Sequence, residues 1–495
     1  MSSDNRYRAD CRRGASHLRN VFKNFGAQTH VLAAPNAQWN PVILAKFRGN
    51  ASTSEHRKKI LFYGHYDVIP AADETGKWMT DPFTLSGIND YLYGRGTSDN
   101  KGPIMAAIYA VAELVAHKAL ESDIIFLIEG EEECGSRGFA QAVRANKKLI
   151  GDVDWILLAN SYWLDDHVPC LTYGLRGVVH ATIEVSSEHP DLHSGVDGST
   201  LLDESLKDLV NILSKLSGKQ NHVEIPGFYE PILPLSSEEE ELYDEITHTL
   251  LEHNPTLGDQ QELAETLKRR WREATLTIHR FYTSGPENST IIPRLARAAI
   301  SLRLVPNQEA EQIAKSLAGF LHGEFAKLNS KNTLTVNIDH LAEPWLGDFN
   351  NDMYKTLEKA ITDVWTGETN NRKRRSSTKL VVSPVTTLRV SPTTSSTLAN
   401  GSSSPPPEHL DSVVEDPHVI ASRHTTPRRK PLYIREGGSI PAIRFLEKEF
   451  NAPAAQLPCG QASDNAHLDN ERIRLVNLYK AKDIFKRVFQ ELPRR

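Results

Sequence analysis

The residues best equipped for chemistry are acids and histidines that close strand-like runs. His65 and Asp67 follow an apolar run in GHYDV, and Asp99 sits in YLYGRGTSDNKGP. Glu131, Glu132 and Glu133 stand together in EGEEEC, Asn160 ends VDWILLAN, and His467 closes LPCGQASDNAH. Two positions apart, His65 and Asp67 can divide the work, one facing a site while the other fixes the imidazole tautomer. Three adjacent carboxylates repel one another unless a cation or solvent relieves them. Asp99 lies among Gly94, Gly96 and Gly102, which let the backbone turn sharply. An acid at such a corner either caps the helix that follows or is displayed toward a ligand. Imidazole combined with carboxylate suits zinc, with manganese or cobalt as further choices.

Positioning these groups needs a rigid frame. Residues 42–47, 60–63, 123–128 and 153–159 are apolar runs of the kind that form strands covered on both faces. The pattern over 104–115 has helical spacing, as has that over 10–25. Strand, turn, helix and strand in repetition predict an α/β domain with a mostly parallel sheet, and ligands of such sheets bind off the carboxyl ends of the strands. His65, Asp67, Glu131, Glu132, Glu133 and Asn160 all fall there. From about Gly177 the pattern changes to VVHATIEV, ARAAISLRLV and TLTVNID with helical stretches between them, which predicts an inserted α+β unit. The expected organisation is 1–176 catalytic domain, 177–345 lid and dimerisation domain, 346–369 and 431–495 the remaining catalytic segments. Residues 370–430, rich in Ser, Thr, Pro and Arg, are expected to be a disordered insert.

Composition narrows the function. The 495 residues are 39% hydrophobic and 24% charged with a net charge of −6, enough for more than one core and without general attraction to nucleic acid or anionic membranes. No apolar run approaches the roughly 20 residues of a membrane span, and the N-terminus has no hydrophobic signal core; the expected compartment is the cytoplasm. Four scattered cysteines without a CxxC pair suggest neither a disulfide scaffold nor a thiolate zinc site.

Taken in order, HYD, YGRGTSDNKGP, EEECGS, YGLRG, DLHSG, SLRLVP, REGGSIP and DNAH resemble the aminoacylase, carnosinase and glutamate-carboxypeptidase family of dinuclear zinc peptidases, from about residue 8 to 490. NSYWL, SDNKGP and CRRGAS resemble most the peptidase-like subunits of the fungal glutathione-degradation complex. Members of that subgroup carry a WD-repeat region upstream, so the resemblance raises the expectation that such a region is missing here. It implies a catalytic domain of the zinc-peptidase α/β type, two zinc ions per chain (manganese as an alternative) and a homodimer. His65 would hold one metal, Asp99 would bridge both, and Glu133 and His467 would complete the second. Asp67 would orient His65, and Glu132 would be the general base that activates a metal-bridging water. His193 would reach the partner's site and stabilise the oxyanion, while Thr290, Arg303 and Ser439 would bind substrate, Arg303 gripping its carboxylate. One position departs from the pattern: Asn160 stands where active dipeptidases carry an acidic ligand, and a neutral amide oxygen is a poorer zinc donor.

Two readings follow from the resemblance. In the first, the chain hydrolyses short peptides such as Cys-Gly or a glutathione-like substrate. In the second, it is an auxiliary subunit that positions an amidotransferase-type partner, which Asn160, the long insert and the expected missing region favour. The intact pair Glu132 and Glu133 favours the first.

Overall fold

The computed structural model describes residues 7–50, 57–71, 76–197, 202–366 and 430–492. The insert expected at 370–430 falls, apart from Lys430, outside them. Among the described residues the chain is α/β, and its larger sheet has nine strands. At the centre, Asp123–Glu129, Lys59–His65, Trp155–Leu158 and Ala454–Gln456 lie side by side in parallel. Antiparallel strands flank them, Gln28–Leu32 and Val42–Phe47 on one side and Cys170–Leu175 on the other.

Helices Arg8–Asn24, Gly102–Ala116 and Leu475–Glu491 contribute to the same core as this sheet. The central strands are buried along nearly their whole length, which is why their sequences run apolar without alternation. Phe126 gathers Phe22 at 5.0 Å and Phe62 at 5.1 Å between ring centroids, and Phe485 meets Phe62 edge-on. This packing fixes the height at which the strands end. His65 is level with Glu129, and Tyr63 with Leu158. The residues just beyond all three strands therefore emerge at one edge.

The second sheet has four antiparallel strands, Thr275–Thr283, Leu295–Leu304, Gly177–Ser186 and Thr333–Ala342, in that spatial order. Val179, Ala181, Ile183 and Val185 alternate with less buried residues and face a core shared with helices Ser205–Leu213 and Ala310–Lys327. Helices Ser237–His253 and Gln260–Arg272 pack elsewhere. Tyr243 and Trp271 join Trp163, Leu432 and Ile434 against the end of the large sheet, where the Glu239 carboxylate is shared by Arg435 and Arg272, each 2.7 Å away.

Candidate metal centre

Asp99 is the hub. It sits in a tight turn ahead of helix Gly102–Ala116 and does not cap it, since that helix starts without a side-chain cap. The turn is held from below by Glu471, a fully buried carboxylate that accepts hydrogen bonds from the backbone N–H groups of Gly96, Ser98 and Asp99 and from Arg95, all within 3.0 Å. Gly96 has φ +88° and carries the Lys101 side chain where a Cβ would stand, so glycine is required there twice over. Asn100 stitches the turn to the sheet: its Oδ1 accepts from the His65 N–H and its amide donates to the Ala159 carbonyl. Gly64 makes room for it, because a Cβ would lie 2.7 Å from that oxygen.

Above this base the candidate side chains converge. His65 Nε2 is 2.9 Å from Asp99 Oδ1, and His467 Nε2 is 3.0 Å from Asp99 Oδ2 and 3.1 Å from Glu133 Oε2. Asp67 works from behind. Its carboxylate accepts from the backbone N–H groups of Glu132 and Glu133, and its carbonyl oxygen faces His65 Nδ1 at 3.2 Å. Glu132 Oε2 stands 4.0 Å from His65 Nε2, and among the described residues its carboxylate accepts no hydrogen bond. Of the three adjacent acids, Glu131 turns away to Asn40 and Arg137. That leaves two facing the site.

Asn160 lies at the same edge with its amide nitrogen 3.4 Å from His65 Nε2, while its Oδ1 accepts from the Ser161 N–H at 2.5 Å. His193 and Thr290 share a separate two-stranded arm, where Leu192–His193 pairs with Ile291–Ile292 and the Ser194 N–H donates to the Thr290 carbonyl. Neither makes a hydrogen bond or ion pair with the Asp99 cluster among the described residues, nor do Arg303 and Ser439. Arg303 lies on the second sheet, its guanidinium half-buried and without a hydrogen-bonding partner among those residues. That sheet touches the acidic loop, since a Cβ on Gly135 would lie 2.6 Å from the His340 ring.

Sequence reasoning missed Glu471, Asn100 and Glu436. Glu436 accepts from the Ser161 hydroxyl at 2.5 Å and lies in REGGSIP beside Ser439, so the motif itself was the signal. Glu471 belongs to no such motif.

The residues fit divalent cations. Ligand atoms of His65, Asp99 and Glu133 all lie within 4.8 Å of one another. An imidazole whose Nδ1–H is spent on Asp67 and whose Nε2 meets a carboxylate needs either a second proton or a cation between the two. Without a cation the protons are held tightly. Burial alone would lower the pKa of His65, yet the Glu132 charge and the hydrogen bonds to Asp67 and Asp99 raise it well above the ordinary value. His467 is pushed up to about 10 by its hydrogen bonds to Asp99 and Glu133. Burial would raise Asp99, but the two imidazoles hold it below the usual carboxylate range. Glu132 is pushed up to about 8 by burial and then by the neighbouring acids, and Glu436 to about 7 by burial.

These shifts carry a sign. His65, His467, Glu132 and Glu436 all have folded pKa values above their unfolded ones, so the cation-free fold binds more protons than the unfolded chain. Each contribution is complete below the unfolded pKa and is lost as pH rises through the folded one. The melting temperature of chelator-treated protein is therefore expected to fall steadily between about pH 6 and about pH 9. Added zinc or manganese should raise it more at the upper end, because ligands must shed protons to bind. A melting temperature flat across that range, with and without cation, would contradict this account.

The sequence profile of Peptidase family M20/M25/M40 matches residues 61–416. The chain belongs to that family. It is 38% identical to "Probable di- and tripeptidase DUG2" of Saccharomyces cerevisiae over 99% of its own length and 49% of that protein's, so it spans about half of that relative. It is 30% identical to "Cys-Gly metallodipeptidase DUG1" of Candida albicans, covering 92% of this chain and 82% of that one. Among solved structures, the dipeptidase Dug1p of Saccharomyces cerevisiae superposes with a TM-score of 0.73 at 25% identity over 100% of this chain and 93% of that one. The family's α/β architecture is thus the one observed. Among the described residues no helix is long and apolar enough to cross a membrane.

Proposed function

We propose that the chain is a metal-dependent hydrolase of short peptides, a dipeptidase acting on Cys-Gly or a glutathione-like peptide in the cytoplasm. The observation that carries this reading is the convergence of His65, Glu133 and His467 on or beside Asp99, with the uncommitted carboxylate of Glu132 facing them. His65, Asp99, Glu133 and His467 would hold two cations, with Asp99 between them. When bound, zinc or manganese supplies Lewis-acid polarisation of the scissile carbonyl and lowers the pKa of water.

The chain's own groups do the rest. Glu132 takes the proton of the attacking water and returns it to the leaving amine; among the described residues its carboxylate has no competing hydrogen bond. Asp67 holds both the His65 ring and the loop that carries Glu132, so one side chain sets the distance between base and ligand. Arg303 would supply a guanidinium for the peptide's terminal carboxylate, and Ser439 would contribute a hydroxyl to the bound peptide. Zinc content per chain, measured with Cys-Gly hydrolysis before and after chelation, tests the proposal. Protein that takes up no divalent cation above background would end it.

Residues 177–345 act in this reading as lid and dimerisation domain. The arm bearing His193 and Thr290 then completes the site of a second copy. The test is complementation: His193→Ala and Glu132→Gln chains, each inactive alone, should regain up to about half of the wild-type rate per mixed dimer, because a two-fold dimer has one site with both groups intact. No recovery on mixing and refolding would exclude the crossed arrangement.

A second reading has one observation in its favour. The Asn160 oxygen is committed to Ser161, and its NH2 is what faces His65. A site detuned in this way suits an auxiliary subunit that binds an amidotransferase-type partner, and full hydrolysis by this chain alone would exclude it.

A further inference from the structure

Against the turn that carries Asp99 lies a cavity of about 350 Å³, lined by none of the clustered acids and histidines. Phe83, Leu85, Leu92, Met105, Ile473 and Leu478 make its apolar wall, and Gly94, Gly96 and Thr97 expose backbone along the other side. Phe83 and Leu85 are 48% and 65% exposed, an arrangement that leaves hydrocarbon surface facing water around a concavity. Its size and lining are those of a small-molecule pocket, mostly apolar with few polar groups.

The polar side chains are cationic. Lys101, an exposed residue, lines the cavity beside Gly96, and its ammonium makes one hydrogen bond among the described residues, to the Arg95 carbonyl at 3.2 Å, with no carboxylate within ion-pair distance. Arg95 also lines the cavity. Its Nη1 is spent on Glu471 and its guanidinium lies over the Trp78 ring at 5.2 Å, but among the described residues its buried Nε–H has no acceptor. A buried donor is ordinarily satisfied, and an exposed ammonium can exchange water for an anion at its three N–H groups. An apolar wall ending in two cationic donors complements one kind of occupant.

We propose that this cavity binds a small apolar carboxylic acid in its ionised form, the hydrocarbon against Phe83, Leu85, Leu92 and Met105 and the carboxylate on Lys101 and Arg95. Its walls include Gly94, Gly96 and Thr97, the segment leading into Asp99, so the ligand braces that turn.

Calorimetric titration of the full chain with octanoate, in the presence of EDTA so that no cation in the peptidase site contributes, tests this. Octanoate should bind saturably and at least about tenfold more tightly than octan-1-ol or acetate, the worth of one charge-assisted contact. Lys101→Met, which keeps an apolar stem, should erase the preference over the alcohol. Leu85→Glu, a change at an exposed position, should abolish binding by placing a like charge against the acid. Saturating Cys-Gly should leave octanoate binding unchanged, and this holds whether or not the chain proves to be a peptidase. Absence of saturable binding, equal binding of acid and alcohol, an unaltered Leu85→Glu variant, or displacement by the dipeptide would each overturn the assignment.

Discussion

Replacing Glu132 by glutamine is expected to lower Cys-Gly turnover by about three orders of magnitude, the range of a lost general base, with cation content and fold retained. The structure separates the two roles that such a residue could have. Its backbone N–H is held by Asp67, which the substitution leaves intact, while among the described residues its carboxylate accepts no hydrogen bond. The environment of that carboxylate raises its pKa to about 8, burial first and then Asp99, Glu133 and Asp67. These groups penalise its charge. A neutral amide of nearly the same shape relieves the penalty, so the variant without cation should melt at the wild-type temperature or slightly above it. Loss of activity together with loss of a cation would instead make Glu132 a ligand, and retained turnover would remove it from the mechanism.

The carboxylates that can be read from sequence are those whose neighbours in the chain are themselves informative. His65, Asp67 and Glu131 to Glu133 follow apolar runs, and the level ends of the parallel strands bring them together. Asp99 was legible because glycines surround it. Glu471 was not: it sits 372 positions from Asp99 and acts through backbone N–H groups, which every residue has and no motif marks. Asn100 escaped for a related reason, since its reach to both His65 and Ala159 depends on the absence of a side chain at Gly64. The second sheet followed from the strand-like runs VVHATIEV, ARAAISLRLV and TLTVNID. The position of helices Ser237–His253 and Gln260–Arg272 against the large sheet rests instead on Glu239, Tyr243 and Trp271 finding partners far along the chain, Arg435 and Ile434 among them.

Asn160→Asp is expected to tighten binding at the His65 side of the site by about tenfold or more, the equivalent of at least about 1.4 kcal/mol of added attraction for a divalent cation. The geometry allows it without rearrangement. One aspartate oxygen keeps the bond to the Ser161 N–H, and the other takes the place of the NH2 that now stands 3.4 Å from His65 Nε2. A donor is exchanged for an anionic acceptor at the point where a cation would meet the imidazole. The same change should weaken the cation-free fold, because a further carboxylate joins Asp99, Glu132 and Glu133 with only the protonated histidines to balance it. Opposite effects on melting temperature with and without zinc are therefore the signature, read by thermal unfolding alongside competition with a chromophoric chelator. If wild-type protein already holds two cations as tightly as the variant, the amide serves as a ligand after all, and the case for an auxiliary subunit loses its one structural support. If the variant alone loads fully and gains Cys-Gly turnover, the wild-type site is detuned at a single side chain, with Glu132, Asp99, Glu133 and His467 unchanged around it.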